Sequence, residues 1–506
     1  MEEVELKLIA GPSFDPAALQ ERLASIGTIA ASKSFKQRDD YLDTPAAELV
    51  TLGLSARVRS KEKGQTVDVK PVPIAADLVM RRSELSAPVS KKGDPGRTLR
   101  KLLARMLGVA LDGTAAVVLS IETQRVLHEL EIDDSRVEVC FDTVRVLDAD
   151  GNEGGRFVEI EAELAAGDEV VLHRIGEVFS ALDLSPSGKS KYVRARGLLG
   201  LPAYRWGVDA PSFDLDTDIA QVARAVCRQQ LQLVRNYEPG TRIGLDTEHL
   251  HKMRVATRRL RTALRVFEDA FSGTERRAMN RGFRWLGRRL GAVRDLDVAV
   301  LALPSWRRRF GPEPVEGWDG LAERLDVRRT RARRDLIDAL DSTRWAELAE
   351  TADEVFEADD EARGALRGSI RALLDLRLTA FEDGVATFTR TQSLEDAHEL
   401  RILGKRLRYT VEFVRPALDI DTKPMLKRLS TFQDELGALQ DAAEAGAFAL
   451  REFEEDGDPA TAFALGTLRG SARLEAEQAR GRVDAALAAL DAGTLIEGLR
   501  KALPPA

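Results

Sequence analysis

Two rhythms of apolar spacing divide this chain. Up to about residue 200, apolar positions recur every second residue in short runs: Val4–Ile9, Leu54–Arg59, Thr66–Lys70, Val117–Thr123, Arg125–Glu131, Arg136–Thr143 and Arg156–Leu164. Such alternation turns one side of a strand toward a core and the other away from it. Helical spacing fills Pro16–Ile26, Gly96–Leu107 and Glu169–Leu182. From about Asp218 the period becomes about 3.6, and nearly every segment reads as amphipathic helix. The change falls in a stretch punctuated by Pro202, Gly207 and Pro211. The pattern predicts a β-rich domain over 1–199, a linker over 200–212 and an all-α domain over 213–506.

The helical part repeats itself. His251-Lys252-Met253-Arg254 with Arg258-Arg259-Leu260-Arg261 recurs as His398-Glu399-Leu400-Arg401 with Lys405-Arg406-Leu407-Arg408. Leu290-Gly291-Ala292-Val293-Arg294-Asp295 recurs, in the same order, as Leu436-Gly437-Ala438-Leu439-Gln440-Asp441. Two related helical bundles are expected.

Composition narrows the class. With 44% hydrophobic and 31% charged residues over 506 positions, the chain can bury real cores, so disorder does not describe the whole. Two cysteines, Cys140 and Cys227, provide neither a disulfide framework nor a cysteine zinc cluster. No apolar run approaches the ~18 residues of a membrane span, and Glu2, Glu3 and Glu5 are not the start of a signal peptide. A soluble, cytoplasmic protein without a membrane partner is expected.

The net charge of −8 hides strong clustering. From His251 to Arg265 six Lys or Arg occur without an acid, and from Arg276 to Arg294 seven. Positions 251, 254, 258, 261 and 265 share one helix face, and they are His251, Arg254, Arg258, Arg261 and Arg265. The repeat places His398, Arg401, Lys405 and Arg408 likewise, with Glu412 where the first copy has Arg265. Stacked like charges repel unless an anion or an acidic partner offsets them. Acidic stretches at Glu350–Glu361 or Glu452–Asp458 could fold back to do so. Few aromatics interleave the basic residues, which disfavours nucleic acid.

In the β-rich part, alternation sorts charge by strand. Glu3, Glu5 and Lys7 share a face, as do Arg57 with Arg59, Asp68 with Lys70, Glu138 with Asp142, and Glu159 with Glu161 and Glu163, while Arg125 stands alone. If these faces line a closed barrel, its lumen is charged and suits a polyanion with a divalent ion.

These residues resemble the CYTH, or triphosphate tunnel metalloenzyme, family. Glu3-Val4-Glu5-Leu6-Lys7 is similar to its opening ExExK motif, and Arg57-Val58-Arg59, Lys70, Arg82-Ser83-Glu84, Arg125, Asp142 and Glu159-Ile160-Glu161-Ala162-Glu163 follow in order. The resemblance implies an eight-stranded antiparallel β tunnel with flanking helices that takes a linear triphosphate and divalent ions. Glu3, Glu5, Asp142, Glu159 and Glu161 would be the metal carboxylates, with Glu3, Glu5, Glu159 and Glu161 catalytic. Lys7, Arg57, Arg59, Lys70, Arg82, Arg125 and one of Lys189 and Lys191 would clamp phosphate, with Glu84 and Glu163 as further contacts.

His251 to Arg261, Lys405-Arg406-Leu407-Arg408-Tyr409 and Leu436-Gly437-Ala438-Leu439-Gln440-Asp441 resemble the CHAD family. That resemblance implies two pseudo-symmetric four-helix bundles whose basic surface, His251 to Arg265 and His398 to Arg408, binds polyphosphate. Together the resemblances lead to an α+β protein that hydrolyses inorganic triphosphate with Mg²⁺ or Mn²⁺ and holds polyphosphate, in the cytoplasm and at polyphosphate granules. Thiamine or nucleoside triphosphates as substrates, and a non-catalytic polyphosphate binder, stay open as alternatives.

Overall fold

The computed structural model describes residues 2–61, 64–73, 79–90, 93–202, 206–308, 317–358, 362–455 and 459–503. The chain divides into two compact units, the first made of Met1–Trp206 with Asn236–Leu250, the second of Gly207–Arg235 with His251–Ala506.

The first unit carries ten described strands: β1 Glu2–Ala10, β2 Thr28–Asp43, β3 Leu54–Lys61, β4 Gly64–Pro71, β5 Val79–Ser83, β6 Leu85–Val89, β7 Ala116–Ile132, β8 Ser135–Asp148, β9 Glu153–Ala166 and β10 Leu184–Pro186. All pairings are antiparallel, in the order β10-β1-β9-β8-β7-β2-β3-β4-β6, with β5 also on β1. Only Glu84 separates β5 from β6, so one bent strand pairs with β1 at one end of the sheet and β4 at the other. Counting that strand once and setting the three-residue β10 aside leaves the eight staves of a closed tunnel.

Flanking helices are α1 Pro16–Ile26, α2 Glu48–Thr51, α3 Pro95–Leu107, α4 Val170–Phe179 and α5 Lys191–Leu198. Local chemistry sets their starts: Asp15 caps α1 and Asp94 caps α3, each followed by proline at the first helical position, and Gly108, at φ 65°, closes α3. The apolar strand faces point outward under these helices, as Leu6, Leu8, Val137, Val139 and Ile160 do against Leu19, Leu23, Ile175 and Phe179. The charged faces are thereby turned into the lumen.

Two expectations needed revision. Strand β2 is absent from the alternation reading because Ser32-Lys33-Ser34-Phe35-Lys36-Gln37-Arg38-Asp39 is polar on both faces apart from the single Phe35. The two strands expected over 117–131 are one, β7, which pairs with β2 and β8 along its length.

The second unit is helical: α6 Ile219–Ile243, α7 Thr247–Val266, α8 Gly273–Arg308, α9 Trp318–Leu340, α10 Thr343–Glu357, α11 Ile370–Thr391, α12 Leu394–Val414, α13 Lys423–Glu455, α14 Pro459–Leu490 and α15 Ala492–Ala502. The first residues of α7 and the last of α6 lie in Asn236–Leu250 and cluster with the first unit. The sequence repeat is a structural one, since α6 to α10 recur in order as α11 to α15, each copy with a 3₁₀ turn before its third helix. Each copy carries a fifth, short helix beyond the four expected. Met253, Ala256, Leu260, Leu264 and Phe267 are all buried, which leaves the arginine face of α7 outward.

Candidate active site and basic surface

Strand register builds one tunnel wall. Lys7 on β1 faces Glu161 on β9, Glu159 faces Asp142 on β8, and Asp142 faces Arg125 on β7. Arg125 grips Asp142 through both Nε and Nη2, at 2.7 and 2.5 Å, and reaches Glu161 at 2.7 Å. Lys7 pairs with Glu161 and lies 3.2 Å from Glu5. From α5, which Ser190 caps, Lys191 Nζ comes within 3.0 Å of Asp142 and 2.8 Å of both Glu159 and Glu161.

The opposite wall comes from β2, β3 and β4. Asp39 accepts from Arg59 Nε and Nη2 at 2.8 and 2.9 Å, and from Arg57 at 3.5 Å. Arg57 also touches Asp68, and Lys70 lies 3.1 Å from Glu84, the residue at the bend of the closing strand. Between the walls is a cavity of about 110 Å³ lined by six cations, Lys7, Arg57, Arg59, Lys70, Arg125 and Lys191, and five carboxylates, Glu5, Asp39, Asp68, Glu161 and Glu163. Tyr41, stacked on Tyr192 at 4.9 Å, lines it too.

Burial and charge act against each other on the carboxylates. Burial pushes Glu159 up, with Lys191 and Lys7 opposing. Glu161 is also penalised by burial, but Lys191, Lys7 and Arg125 hold it well below the usual carboxylate range. Around Lys191 the same three acids outweigh its desolvation and keep it charged.

The structure thus brings together Glu5, Lys7, Arg57, Arg59, Lys70, Arg125, Glu161 and Lys191. Lys189 does not join them: it is exposed, and its carbonyl accepts from Ser187. Helix α5 begins at Lys191, so that lysine is carried inward while Lys189 stays on the loop. Asp142 and Glu159, expected as metal carboxylates, have no exposed surface and do not line the cavity; here they are counter-charges to Arg125 and Lys191. The side chains of Glu3 and Arg82 lie outside the described residues, although their backbones pair across β1 and β5. Sequence reasoning missed Asp39 and Tyr41, which share with Gln37 the inward face of the unrecognised β2.

In the helical unit the basic stripes line two cavities. Arg254, Arg258, Arg261, Arg284 and Arg288 line one of about 360 Å³, and Arg401, Lys405, Arg408, Asp434 and Asp441 are among the residues around a second of about 320 Å³. Arg265 is exposed and crowded by Arg406, Arg284 and Arg377. Arg258 donates to the Tyr409 hydroxyl at 2.6 Å, and Arg259, whose guanidinium sits over the same ring, pairs with Glu412. His251 is half-buried at the head of its stripe, while exposed His398 donates to Gln440 at 3.2 Å. Within the acidic stretches, Asp353 pairs with Arg235 and Glu452 with Arg328.

Family models match both units. A CYTH domain is found over residues 1–192 and a CHAD domain over 225–450. The chain is a CYTH domain followed by a CHAD domain. Over 514 aligned residues it is 26% identical to Uncharacterized protein MT2285 of Mycobacterium tuberculosis, covering 95% of this chain and 93% of the relative. Among solved structures, the CHAD domain from the plant Ricinus communis is 25% identical with a TM-score of 0.48, over 56% of this chain and 97% of that one. PptA from Streptomyces chartreusis is 21% identical with a TM-score of 0.46, over 53% and 99%. HpAC1 from Hippeastrum, described as revealing a dominant triphosphatase activity, is 21% identical with a TM-score of 0.29, over 40% and 97%.

CYTH domains form a family of metal-dependent tunnel enzymes. Among the described residues, no three His, Cys, Asp or Glu side chains gather as a ready-made metal cluster. The donor chemistry fits a hard cation nonetheless. Glu5 and Glu163 oppose each other across β1 and β9, Glu161 lies two residues along, and all three face the cavity. Mg²⁺ needs only one or two carboxylates, because water and phosphate oxygens complete its shell. No described helix is long and apolar enough to cross a membrane.

Proposed function

We propose that the CYTH domain hydrolyses inorganic triphosphate with Mg²⁺ or Mn²⁺, and that the CHAD domain holds polyphosphate. The observation that supports this reading is the pairing of six cations with five carboxylates around one closed lumen. Asp39 and Asp68 serve as counter-charges to Arg57 and Arg59, but a site for a bare anion has no use for Glu5 and Glu163 beside Glu161, and these three suit a cation bound together with the anion. A divalent ion, when bound, would neutralise phosphate charge and activate water as a nucleophile.

Glu5, Glu161 and Glu163 would hold the ion. Glu161 suits this role because Lys191, Lys7 and Arg125 keep it ionised despite burial. Lys7, Arg125 and Lys191 would grip one end of the triphosphate, and Arg57, Arg59 and Lys70 the other. Water attacks a terminal phosphorus, the bridging P–O bond breaks, and phosphate and pyrophosphate leave; the water proton passes to a carboxylate of the lumen. Positioning and charge stabilisation carry most of such a transfer. The choice of inorganic triphosphate over thiamine or nucleoside triphosphates rests on the joining of CYTH to CHAD in one chain.

The test is phosphate release with Mg²⁺ or Mn²⁺ from tripolyphosphate, ATP, thiamine triphosphate and long polyphosphate side by side. Preferred cleavage of tripolyphosphate, abolished in Glu5→Gln and Glu161→Gln, is expected. Silence on all four with polyphosphate binding retained would establish a binding protein instead.

A further inference from the structure

The two basic cavities of the CHAD domain occupy equivalent places in the repeat, but they are not chemically equivalent. Arg254, Arg258 and Arg261 on α7 recur as Arg401, Lys405 and Arg408 on α12, so the helix that supplies the stripe keeps its charge in both copies. The helix facing it does not. Aligning Leu290-Gly291 with Leu436-Gly437 places Arg284 against Ser430 and Arg288 against Asp434. The first cavity is therefore lined by five arginines and no carboxylate, whereas Asp434 and Asp441 line the second.

Local partners widen the difference. Among the described residues, no ion pair holds Arg261, Arg284 or Arg288, and Arg261 bonds only to the neutral Asn280, at 3.2 Å. In the second repeat Arg408 is shared by Glu412 at 3.6 Å and Ser430 at 3.2 Å. Burial and then the neighbouring guanidiniums of Arg265, Arg284 and Arg288 push Arg261 down to about 10, which marks a crowd of positive charge without its counter-charge. Arg284 and Arg288, four residues apart on α8, are exposed, and like charges at that spacing repel each other until an anion in reach offsets them.

Resting on the reading of the CHAD domain as a polyphosphate holder, we infer that one chain has one high-affinity polyphosphate seat, in the first repeat, and that Arg284 and Arg288 on α8 are its specificity-determining residues. The second cavity is a weaker, auxiliary site, since Asp434, standing where the first repeat has Arg288, repels the phosphates that Arg401, Lys405 and Arg408 attract, whereas Asp441 only repeats Asp295, which lies near Arg254. A polyanion grasped by five guanidiniums gains bidentate hydrogen bonds that a lysine cannot reproduce.

The experiment swaps the facing residues between repeats in the full chain and measures binding of long-chain sodium polyphosphate across a salt series. Arg284→Ser with Arg288→Asp, which copies the second cavity into the first, is expected to weaken binding by about 100-fold or more, at roughly tenfold for each guanidinium removed. It should also flatten the slope of log affinity against log salt by about 0.7 for each phosphate no longer neutralised. Arg401→Ser with Arg408→Ser should weaken binding by less than about fivefold. Ser430→Arg with Asp434→Arg, which copies the first cavity into the second, should strengthen binding by about tenfold or more. Arg284→Gln with Arg288→Gln repeats the test without adding a carboxylate, and thermal unfolding confirms that each variant is folded. Equal losses of affinity from the first-repeat and second-repeat variants, or a larger loss from the second, would overturn the inference while leaving polyphosphate binding intact. Absence of polyphosphate binding by the unaltered protein would overturn the underlying reading as well.

Discussion

Lys191 Nζ sits 2.8 Å from Glu159 Oε1, and Glu159 has no exposed surface. Helix α5 delivers one ammonium to three carboxylates, Asp142, Glu159 and Glu161, that the strands β8 and β9 bury side by side. Arg125 shares two of them but does not contact Glu159. Lys191→Met therefore strands a buried carboxylate, and removing one partner of a buried pair costs about 3–5 kcal/mol. We expect that loss in urea unfolding at pH 7. Glu159 is already pushed up by burial, and without Lys191 it would be pushed further. A carboxyl raised above its unfolded value contributes stability at low pH that is lost as pH rises. The deficit of the variant should accordingly shrink on going from pH 7 to pH 5; a deficit that does not change with pH would show that Glu159 does not take up the proton.

Asp39 poses a different question, because it sits between the two guanidiniums expected to grip phosphate. Its bidentate pairing fixes Arg59, and its second hydrogen bond steadies Arg57. It acts on the substrate only through them, as a positioning residue. Asp39→Asn removes a negative charge from the wall, so tripolyphosphate affinity should hold or improve, within about threefold. Turnover should fall by about tenfold or more, because misplaced guanidiniums bind without stabilising the transition state. A rise in KM at unchanged kcat would mean that Asp39 serves binding alone.

Much of this site could be read from the sequence, and the parts that could not have physical reasons. Glu5, Lys7, Arg57, Arg59, Arg125 and Glu161 stand on strands with apolar residues at alternate positions, so their shared direction followed from period two. Asp39 stands on a strand whose outer face is also polar, where Lys36, Arg38 and Asp40 mask the alternation. The choice between Lys189 and Lys191 depended on where α5 starts, which the Ser190 cap decides. Asp142 lies on an alternating strand too, but its pairing with Arg125 and Lys191 depends on cross-strand register and on α5, which no single strand pattern contains. The repeat showed both basic stripes, but the chemistry of the helices opposite them emerged only when α8 and α13 were placed against α7 and α12.

His249 offers a test of the first unit's packing. It is 2% exposed, edge-on to Trp206 at 4.4 Å and to Tyr237 at 6.5 Å, and its Nδ1 has no hydrogen-bond partner. Burial drives its pKa down to about 3. Between about pH 3 and 6.5 the unfolded chain binds a proton that the folded chain does not, so stability falls with decreasing pH by up to ~1.4 kcal/mol per unit. His249→Phe should flatten that part of the stability profile. Gly240→Ala should destabilise at every pH, since its Cβ would meet the His249 ring at 2.0 Å. A pH profile unaltered in His249→Phe would mean that other groups govern acid unfolding.

Lys405 ties the charge of the second CHAD cavity to pH. Burial comes first, followed by Arg258, Arg401, Arg408 and Arg254, and together they lower it to about 7. Asp434 and Asp441 on α13 line the same cavity without cancelling those arginines. Near pH 8 the free protein therefore holds Lys405 largely neutral, and in the pH window from about 7 to 10.5 stability rises with pH, because only the unfolded chain keeps the proton. A phosphate chain brought against Lys405 restores the charged form. Polyphosphate binding at pH 8 should thus take up a proton at this residue, read as a dependence of the calorimetric heat on the ionisation enthalpy of the buffer. Comparison with Lys405→Arg, which is charged throughout, subtracts protons that the phosphates themselves take up or release. If both proteins exchange the same number of protons, Lys405 does not titrate on binding, and the second cavity lies outside the path of the bound chain.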